Sequence, residues 1–459
     1  MIHKNYLVSI IITAHNYAKY LSQCIDSALN QNFENYEIIV VNDGSTDHTK
    51  DVLKNYESNN KIRIYHLQGV GLASASNFGI QKSKSKYIIR LDADDYFDEN
   101  ILLLESNILD KRADTGMVYP DYYLINKYGN IIEHIRLPKV NDEIKLFDRS
   151  PLAAGAMYRR SCYDAIGGYN EDLRYQEDYD FWLRFIEKFN VYNINLPLMY
   201  YRRHNNSMSG NAIPRIKTRR YVKSKFAKQK NNKVNVLGVI PARANDWQRN
   251  SLALQMLNGK PVIAYSIEEA LKTKGLSRII VSTDCVKIAE VSRQFGAETP
   301  FIRPKNLSLD TVWVEDILRH TTNFLENNEN FLPDMVVALP ITSPLRKAHH
   351  IQEAIDTMIL HDTDSVISVF RDTSFHWKPG KYGLKPIIYK KRLLRHDKES
   401  FYRENGVVYL YKIQNIKNKL DLGKSVGHIE MLPEESLRIR TLYDFWVIEQ
   451  MIKQNKVIK

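Results

Sequence analysis

Three carboxylates fall within four residues at Asp92-Ala93-Asp94-Asp95, directly after the apolar run 87–91. Such groups repel one another unless a cation or hydrogen-bond donors offset their charge. A hard metal is the natural partner, because an oxygen-only ligand set suits Mg²⁺ or Mn²⁺, which keeps several waters and bridges to substrate phosphates. An acidic turn that caps a helix has the same spelling, so the spacing alone leaves both readings open. A second acidic turn, Asn42-Asp43-Gly44-Ser45, ends the apolar run 37–41, and the pair Glu177-Asp178 opens the amphipathic stretch 179–189. That pair can serve as a general base, or sit as acid at the positive end of a helix dipole, or both.

The acids need elements to position them. Residues 8–12 read as a buried strand, 13–17 as a polar turn, and Leu21, Ile25 and Leu29 mark a helix. Strands at 37–41 and 87–91 alternate with helices, which predicts a mainly parallel sheet with helices on both faces and ligands beyond the carboxyl ends of its strands. The second half restarts this grammar with strands at 236–240, at 279–281 before Ser282-Thr283-Asp284, and at 335–339. Two Rossmann-like α/β nucleotide-binding domains are therefore expected.

A chain of 459 residues exceeds what one core usually supports. Its 44% apolar and 26% charged content disfavours disorder, collagen-like repeats and coiled coil. No apolar run approaches the roughly 20 residues of a membrane span, and no secretory signal is visible, so the cytoplasm is the expected compartment. Cys24, Cys162 and Cys285 lie far apart, which argues against a disulfide framework or a thiolate metal site. The net charge of +12 is uneven: residues 211–233 hold nine Lys and Arg and no acid. That stretch reads as a solvated linker or exposed helix, between domains at 1–210 and 234–459. Its alternative role is peripheral contact with anionic lipid at the inner face of the plasma membrane. Nucleic acid is not an expected partner, since only Tyr221 and Phe226 could stack on bases there.

Collinear blocks extend the first half's pattern: Val8-Ser-Ile-Ile-Ile-Thr-Ala-His-Asn-Tyr17, Ile39-Val-Val-Asn-Asp-Gly-Ser-Thr-Asp47, Gly71-Leu-Ala-Ser-Ala-Ser-Asn-Phe-Gly79, Leu91-Asp-Ala-Asp-Asp95, Gly167-Gly-Tyr169, Glu177-Asp-Tyr-Asp-Phe-Trp-Leu-Arg184 and Tyr201-Arg-Arg-His-Asn-Asn-Ser-Met-Ser209. With these blocks the region 5–210 resembles the family 2 glycosyltransferases, inverting enzymes of the GT-A fold. The resemblance implies that Thr13, His15, Asp43, Gly71, Asn77 and Asp92 bind a nucleotide-sugar donor. It further implies that Asp92, Asp94, Asp95 and His204 serve a Mg²⁺ or Mn²⁺ ion at the diphosphate. Asp178, with Glu177 as the alternative, would be the base for the acceptor hydroxyl. Ser76 departs from the family, in which arginine often precedes the asparagine.

The second half carries Ile240-Pro-Ala-Arg243, Leu257-Asn-Gly-Lys-Pro-Val-Ile-Ala-Tyr265, Val281-Ser-Thr-Asp284, Phe295-Gly-Ala-Glu298, Thr342-Ser-Pro-Leu-Arg346, Asp364-Ser-Val-Ile-Ser368 and Tyr402-Arg-Glu-Asn-Gly406. It resembles the cytidylyltransferases that activate sialic and related acids as CMP-sugars, which implies a nucleotidyltransferase fold. Three departures bear on activity. The family's glycine- and lysine-bearing phosphate loop is replaced by residues 244–253, with Asp246, Trp247 and Leu252. Its metal-binding Asp-Ile-Asp reads Arg438-Ile-Arg440, and arginine has no lone pair for a metal. Pro340 stands at a sugar-binding glutamine position. Arg243, Ser282, Asp284, Arg303, Thr342, Ser343, Arg346, Arg395, Asn405, Arg438 and Arg440 are expected to shape a pocket for an anionic ligand.

The function these resemblances imply is metal-dependent transfer of a sugar from a nucleotide-sugar to a hydroxyl of a glycan or lipid-linked acceptor in surface polysaccharide or glycoconjugate assembly, with a degenerate second domain. The alternatives are a bifunctional enzyme that also makes CMP-nonulosonic acid from CTP, and a second half that only binds or scaffolds.

Overall fold

The structure, a computed structural model, describes residues 6–140, 154–204, 212–230, 233–245, 251–381, 383–387 and 401–454. It comprises two compact units, and the chain passes from one to the other between Arg219 and Arg220.

The first unit runs β1 (Val8–Ala14), α1 (Ala18–Leu29), β2 (Tyr36–Asp43), α2 (Thr49–Lys54), β3 (Ile62–Leu67), α3 (Leu72–Lys82), β4 (Tyr87–Asp92), β5 (Tyr96–Phe97), α4 (Ile101–Lys111), β6 (Thr115–Ile125), β7 (Ile131–Ile135), β8 (Met157–Arg159), α5 (Arg160–Ile166), α6 (Glu177–Ile186) and β9 (Asn190–Arg202). Its sheet has the order β3-β2-β1-β4-β8-β6-β9-β5, with β7 beside β6. Strands β3, β2, β1 and β4 are parallel, and β8 joins β4 antiparallel. Every residue of β1 and β2 is buried, as an apolar run covered on both faces requires. Register sets Thr13 between Val41 and Asp92, so the acidic ends of β2 and β4 flank the end of β1.

Of the two forms expected for the basic stretch, a solvated linker or an exposed helix, it takes the helix, but a partly buried one. It forms helix α7 (Ala212–Gln229), in which Ile216, Val222, Phe226 and Ala227 are buried together with Arg215, Arg219 and Lys223. The Arg219 guanidinium lies 5.0 Å from the Tyr179 ring centre, Arg220 pairs with Glu353 at 2.8 Å, and Lys223 donates to Thr357 Oγ1 at 3.2 Å. Long aliphatic stems let these cations join a core while their heads find partners, so this stretch does not present nine free charges to a lipid surface. No helix among the described residues is long and apolar enough to cross a membrane.

The second unit contains β10 (Val236–Pro241), β11 (Met256–Leu257), β12 (Lys260–Pro261), α8 (Val262–Leu271), β13 (Arg278–Ser282), α9 (Val286–Gln294), α10 (Val314–Glu329), β14 (Met335–Ala338), α11 (Ala348–His361), β15 (Ser365–Asp372), β16 (Trp377–Gly380), β17 (Gly383–Pro386), β18 (Phe401–Lys412), α12 (Ile413–Lys417), β19 (Val426–Glu430) and α13 (Leu442–Lys453). Its main sheet is ordered β13-β10-β14-β18-β15-β19. Parallel pairing of β10 with β13 and β14 brings the three strand ends, and the loops after them, to one edge. Both units are α/β, as the sequence implies.

Candidate active site

At the end of β4 the chain turns tightly, Asp95 N donating to Asp92 O at 3.0 Å. Strand β9 then brings Arg202 and His204 to this turn. Arg202 donates from its backbone N to Asp95 Oδ1 (2.8 Å), from Nε to Asp94 O (2.7 Å) and from Nη2 to Gln23 Oε1 (2.7 Å). His204 Nε2 lies 2.9 Å from Asp94 Oδ2, and its ring stacks on Tyr20 and meets Tyr17 edge-on. Burial, reinforced by Asp94 and Asp92, pushes the Asp95 carboxyl well above the usual range. Asp92 is also raised by burial, although Arg90 pulls it down, and the charges of Asp94 and Asp178 raise it further. Asp95 Oδ2 is buried without a hydrogen-bond donor. A crowded all-oxygen acid set with an unpartnered acceptor fits a hard divalent ion. Such an ion would be held by Asp92 and Asp94 with Asp95 in support, and His204 would have to exchange its bond to Asp94 to join them.

Sequence reasoning missed Arg90, although a lone cation in an otherwise apolar strand is a readable signal. Its Nε lies 3.2 Å from Asp92 Oδ1 and its Nη1 3.3 Å from Glu177 Oε1, with the guanidinium 5.2 Å from the Tyr169 ring centre. Glu177 is buried, and burial above all, then Asp178, pushes its carboxyl up to about 7. Asp178 is half-buried, and its carboxyl is likewise raised by burial. The two acids at the start of α6 therefore differ: Glu177 is held by Arg90, while Asp178 keeps partial access to solvent and its charge is felt at Asp92.

The donor-side residues divide. Thr13 is buried beside Asp92 with its hydroxyl unpartnered. Exposed His15 donates from Nδ1 to Asp43 O at 2.6 Å, the Asn16 amide lying against its Nε2. The Asp43 carboxylate accepts from the backbone N–H groups of Val70 and Gly71 at 2.7 and 2.8 Å. It thereby locks the loop before α3, where Gly71 takes φ +97, a conformation that glycine adopts freely. Asn77 is engaged on both sides of its amide, accepting from Tyr163 Oη and Tyr169 N and donating to Tyr169 O and Glu171 Oε1. This fully bonded Asn77 fastens α3 to the 168–171 loop and has no amide atom left for a ligand, which corrects its expected donor contact.

In the second unit three expected pocket residues are fasteners. Arg303, 2% exposed, donates to Ser282 O, Ala242 O and Ser308 Oγ, and burial lowers it to about 10. Arg346, 1% exposed, donates to Pro340 O, Val407 O and Ser266 Oγ, and burial lowers it to about 9. Asn405 accepts from Ser368 Oγ and Val407 N and donates to Ser436 Oγ. Each is corrected from ligand contact to internal clamp, because a buried donor must find acceptors and here they are backbone carbonyls and hydroxyls. Arg243 pairs with Asp310 at 2.5 Å, and Asp284 accepts from Ala244 N. Ser282 and Ser343 keep buried, unpartnered hydroxyls near the strand ends. Arg438 is half-buried against Thr342 and Arg440 is exposed. Arg395, Asp246 and Trp247 lie outside the described residues.

A His349–His350–Glu435 group also converges, with Nε2 to Nε2 at 3.0 Å and His350 Nε2 to Glu435 Oε2 at 3.3 Å. Lys347 N donates to His350 Nδ1, so the proton of a neutral His350 resides on Nε2. That proton explains both short approaches without a metal.

The glycosyl transferase family 2 profile matches residues 9–167, and a cytidylyltransferase profile matches residues 237–434. An uncharacterized glycosyltransferase of Rickettsia typhi is 33% identical over 234 residues, 49% of this chain and 72% of that protein. A chondroitin synthase of Pasteurella multocida is 36% identical over 190 residues, 40% of this chain and 19% of that protein. For two further rickettsial glycosyltransferases this chain spans only 30% and 31% of their length. A solved CMP-2-keto-3-deoxy-manno-octonic acid synthetase complexed with CTP aligns with 48% of this chain and 99% of its own, at 17% identity and a TM-score of 0.38. The chain belongs to glycosyl transferase family 2, with a cytidylyltransferase domain joined to it.

Proposed function

We propose that the first unit transfers a sugar, with inversion, from a nucleotide-sugar donor to a hydroxyl of a glycan or glycoconjugate acceptor. The observation that carries this reading is the convergence of Asp92, Asp94 and His204 with the acidic start of α6 through Arg90. A divalent cation, when bound, supplies Lewis-acid neutralisation of the leaving diphosphate. Asp92 and Asp94 hold it, Thr13 and His15 bound the donor cleft, and Asp43 keeps the 70–71 backbone in place. Asp178 is assigned the base: it is the less buried acid of its pair and takes the acceptor hydroxyl proton as the oxygen attacks the anomeric carbon from the side opposite the leaving group. Glu177 remains the alternative, since its raised carboxyl also suits a proton acceptor near neutrality. Relatives named as chondroitin and hyaluronan synthases support a polysaccharide acceptor. The second unit is read as not turning over CTP, because Arg438 and Arg440 offer a metal no lone pair.

The test is a screen of UDP-, GDP- and CMP-sugars with Mn²⁺, reading release of free nucleotide with and without oligosaccharide acceptors. Asp94→Ala should abolish release. Turnover unchanged in that variant overturns the assignment.

A further inference from the structure

The second unit holds two arginines, Arg438 and Arg440, close enough for the charge of one to bear on the other. Ile439 is 2% exposed and packs into the core of the second unit, and its N–H donates to Thr342 O at 2.8 Å. Arg438 and Arg440 flank Ile439, half-buried and exposed respectively, and the charge of Arg440 is felt at Arg438. Arg438 is anchored there: its Nε donates to Thr342 Oγ1 at 3.3 Å, and its guanidinium fills the space where a Cβ at Gly406 would sit, a position held at φ +68. Neither arginine has a carboxylate within ion-pair distance among the described residues. Glu404, the nearest acid by its influence on Arg438, is engaged by the Tyr409 hydroxyl, and Asp444 accepts from the backbone N–H groups of Arg440 and Thr441 as the cap of α13. Burial and the charge of Arg440 both weigh against the protonated Arg438.

A half-buried guanidinium fixed beside a second one, with no carboxylate at ion-pair distance among the described residues, costs free energy that an arriving anion would recover. The pair lies at the sheet edge where β10, β13 and β14 end, the edge at which α/β folds take ligands. Next to Thr342, Ser343 contributes a fully buried hydroxyl without a partner. Planar guanidinium forks match an oxyanion bidentately and need no metal to do so.

We propose that Arg438 and Arg440, with Thr342, form a metal-independent site for a bidentate oxyanion, the phosphate of a nucleotide or the carboxylate of an acidic sugar. The site acts by binding, without bond cleavage, and its occupancy is independent of sugar transfer by the first unit.

Calorimetric titration of the full chain in EDTA, with CMP in one arm and N-acetylneuraminic acid in the other, tests it. Binding in either arm, weakening with added salt, is expected, and the arm that responds identifies the source of the oxyanion. Arg438→Gln/Arg440→Gln should weaken binding at least tenfold. Arg440→Gln alone, at an exposed position, should weaken it severalfold, and Asp94→Ala should leave it unchanged. No binding in either arm, a requirement for Mg²⁺, or equal affinity in Arg440→Gln and the wild type would each overturn the proposal.

Discussion

Arg90 reaches Glu177 inside the first unit, Nη1 to Oε1 at 3.3 Å, with the two side chains 1% and 6% exposed. The same guanidinium holds Asp92, so one arginine ties the last residue of β4 to the first residue of α6. The acidic turn and the candidate base are thereby set against each other by a single rigid group.

Breaking that tie should be costly in stability. Removing one partner of a buried ion pair leaves the other charge uncompensated, at a cost of about 3–5 kcal/mol. Arg90→Met is expected to lower the thermal midpoint of the first unit, and Arg90→Met/Glu177→Leu to restore much of it without restoring turnover. Calorimetry of the full chain checks the first outcome and donor turnover the second.

The two acids of α6 should separate kinetically. Loss of a general base costs roughly 10²–10⁴ in rate. Asp178→Asn is expected to lower kcat in that range while donor affinity, read by calorimetry, stays near wild type. Glu177→Gln should lower kcat less and shift the unfolding midpoint more, because its carboxylate is the one bound to Arg90. The reverse ranking would transfer the role of base to Glu177.

His204 offers a test of the metal reading. Losing a ligand or its supporting partner typically costs 10–100-fold in metal affinity. His204→Ala should raise the Mn²⁺ concentration needed for half-maximal donor binding by that factor, whereas His204→Gln, which retains a polar contact to Asp94, should raise it less. A Mn²⁺ requirement unmoved in both variants would place the ion elsewhere.

Glu105 should make the protein less stable as pH rises. It is fully buried on α4, neither carboxylate oxygen has a partner, and burial holds its carboxyl well above the ordinary value. The folded state thus keeps a proton that the unfolded chain releases near pH 4.5, so the native state loses stability from there upward until the raised value is passed. Glu105→Leu removes this dependence, and its advantage over wild type should grow by about 1.4 kcal/mol per pH unit in that window. Denaturant unfolding of both proteins at pH 5 and pH 8 measures the difference.

The sequence by itself determined the two α/β units and the strand ends on which the acids sit. Continuous apolar runs closed by polar turns specify buried parallel strands locally, and Asp43 and Asp92 fall at the ends of two of them. Tertiary structure decided what each polar side chain does. Arg90 acquires its role from Glu177, 87 positions away, and Asn77 is taken up by Tyr163, Tyr169 and Glu171 across a similar separation. Arg303, Arg346 and the α7 cations Arg219, Arg220 and Lys223 look like ligand or lipid contacts in one dimension, yet in three they are clamps. The physical reason is that hydrophobic periodicity is a local signal, whereas a polar group's role depends on which partners burial brings within about 3 Å, and those come from distant segments.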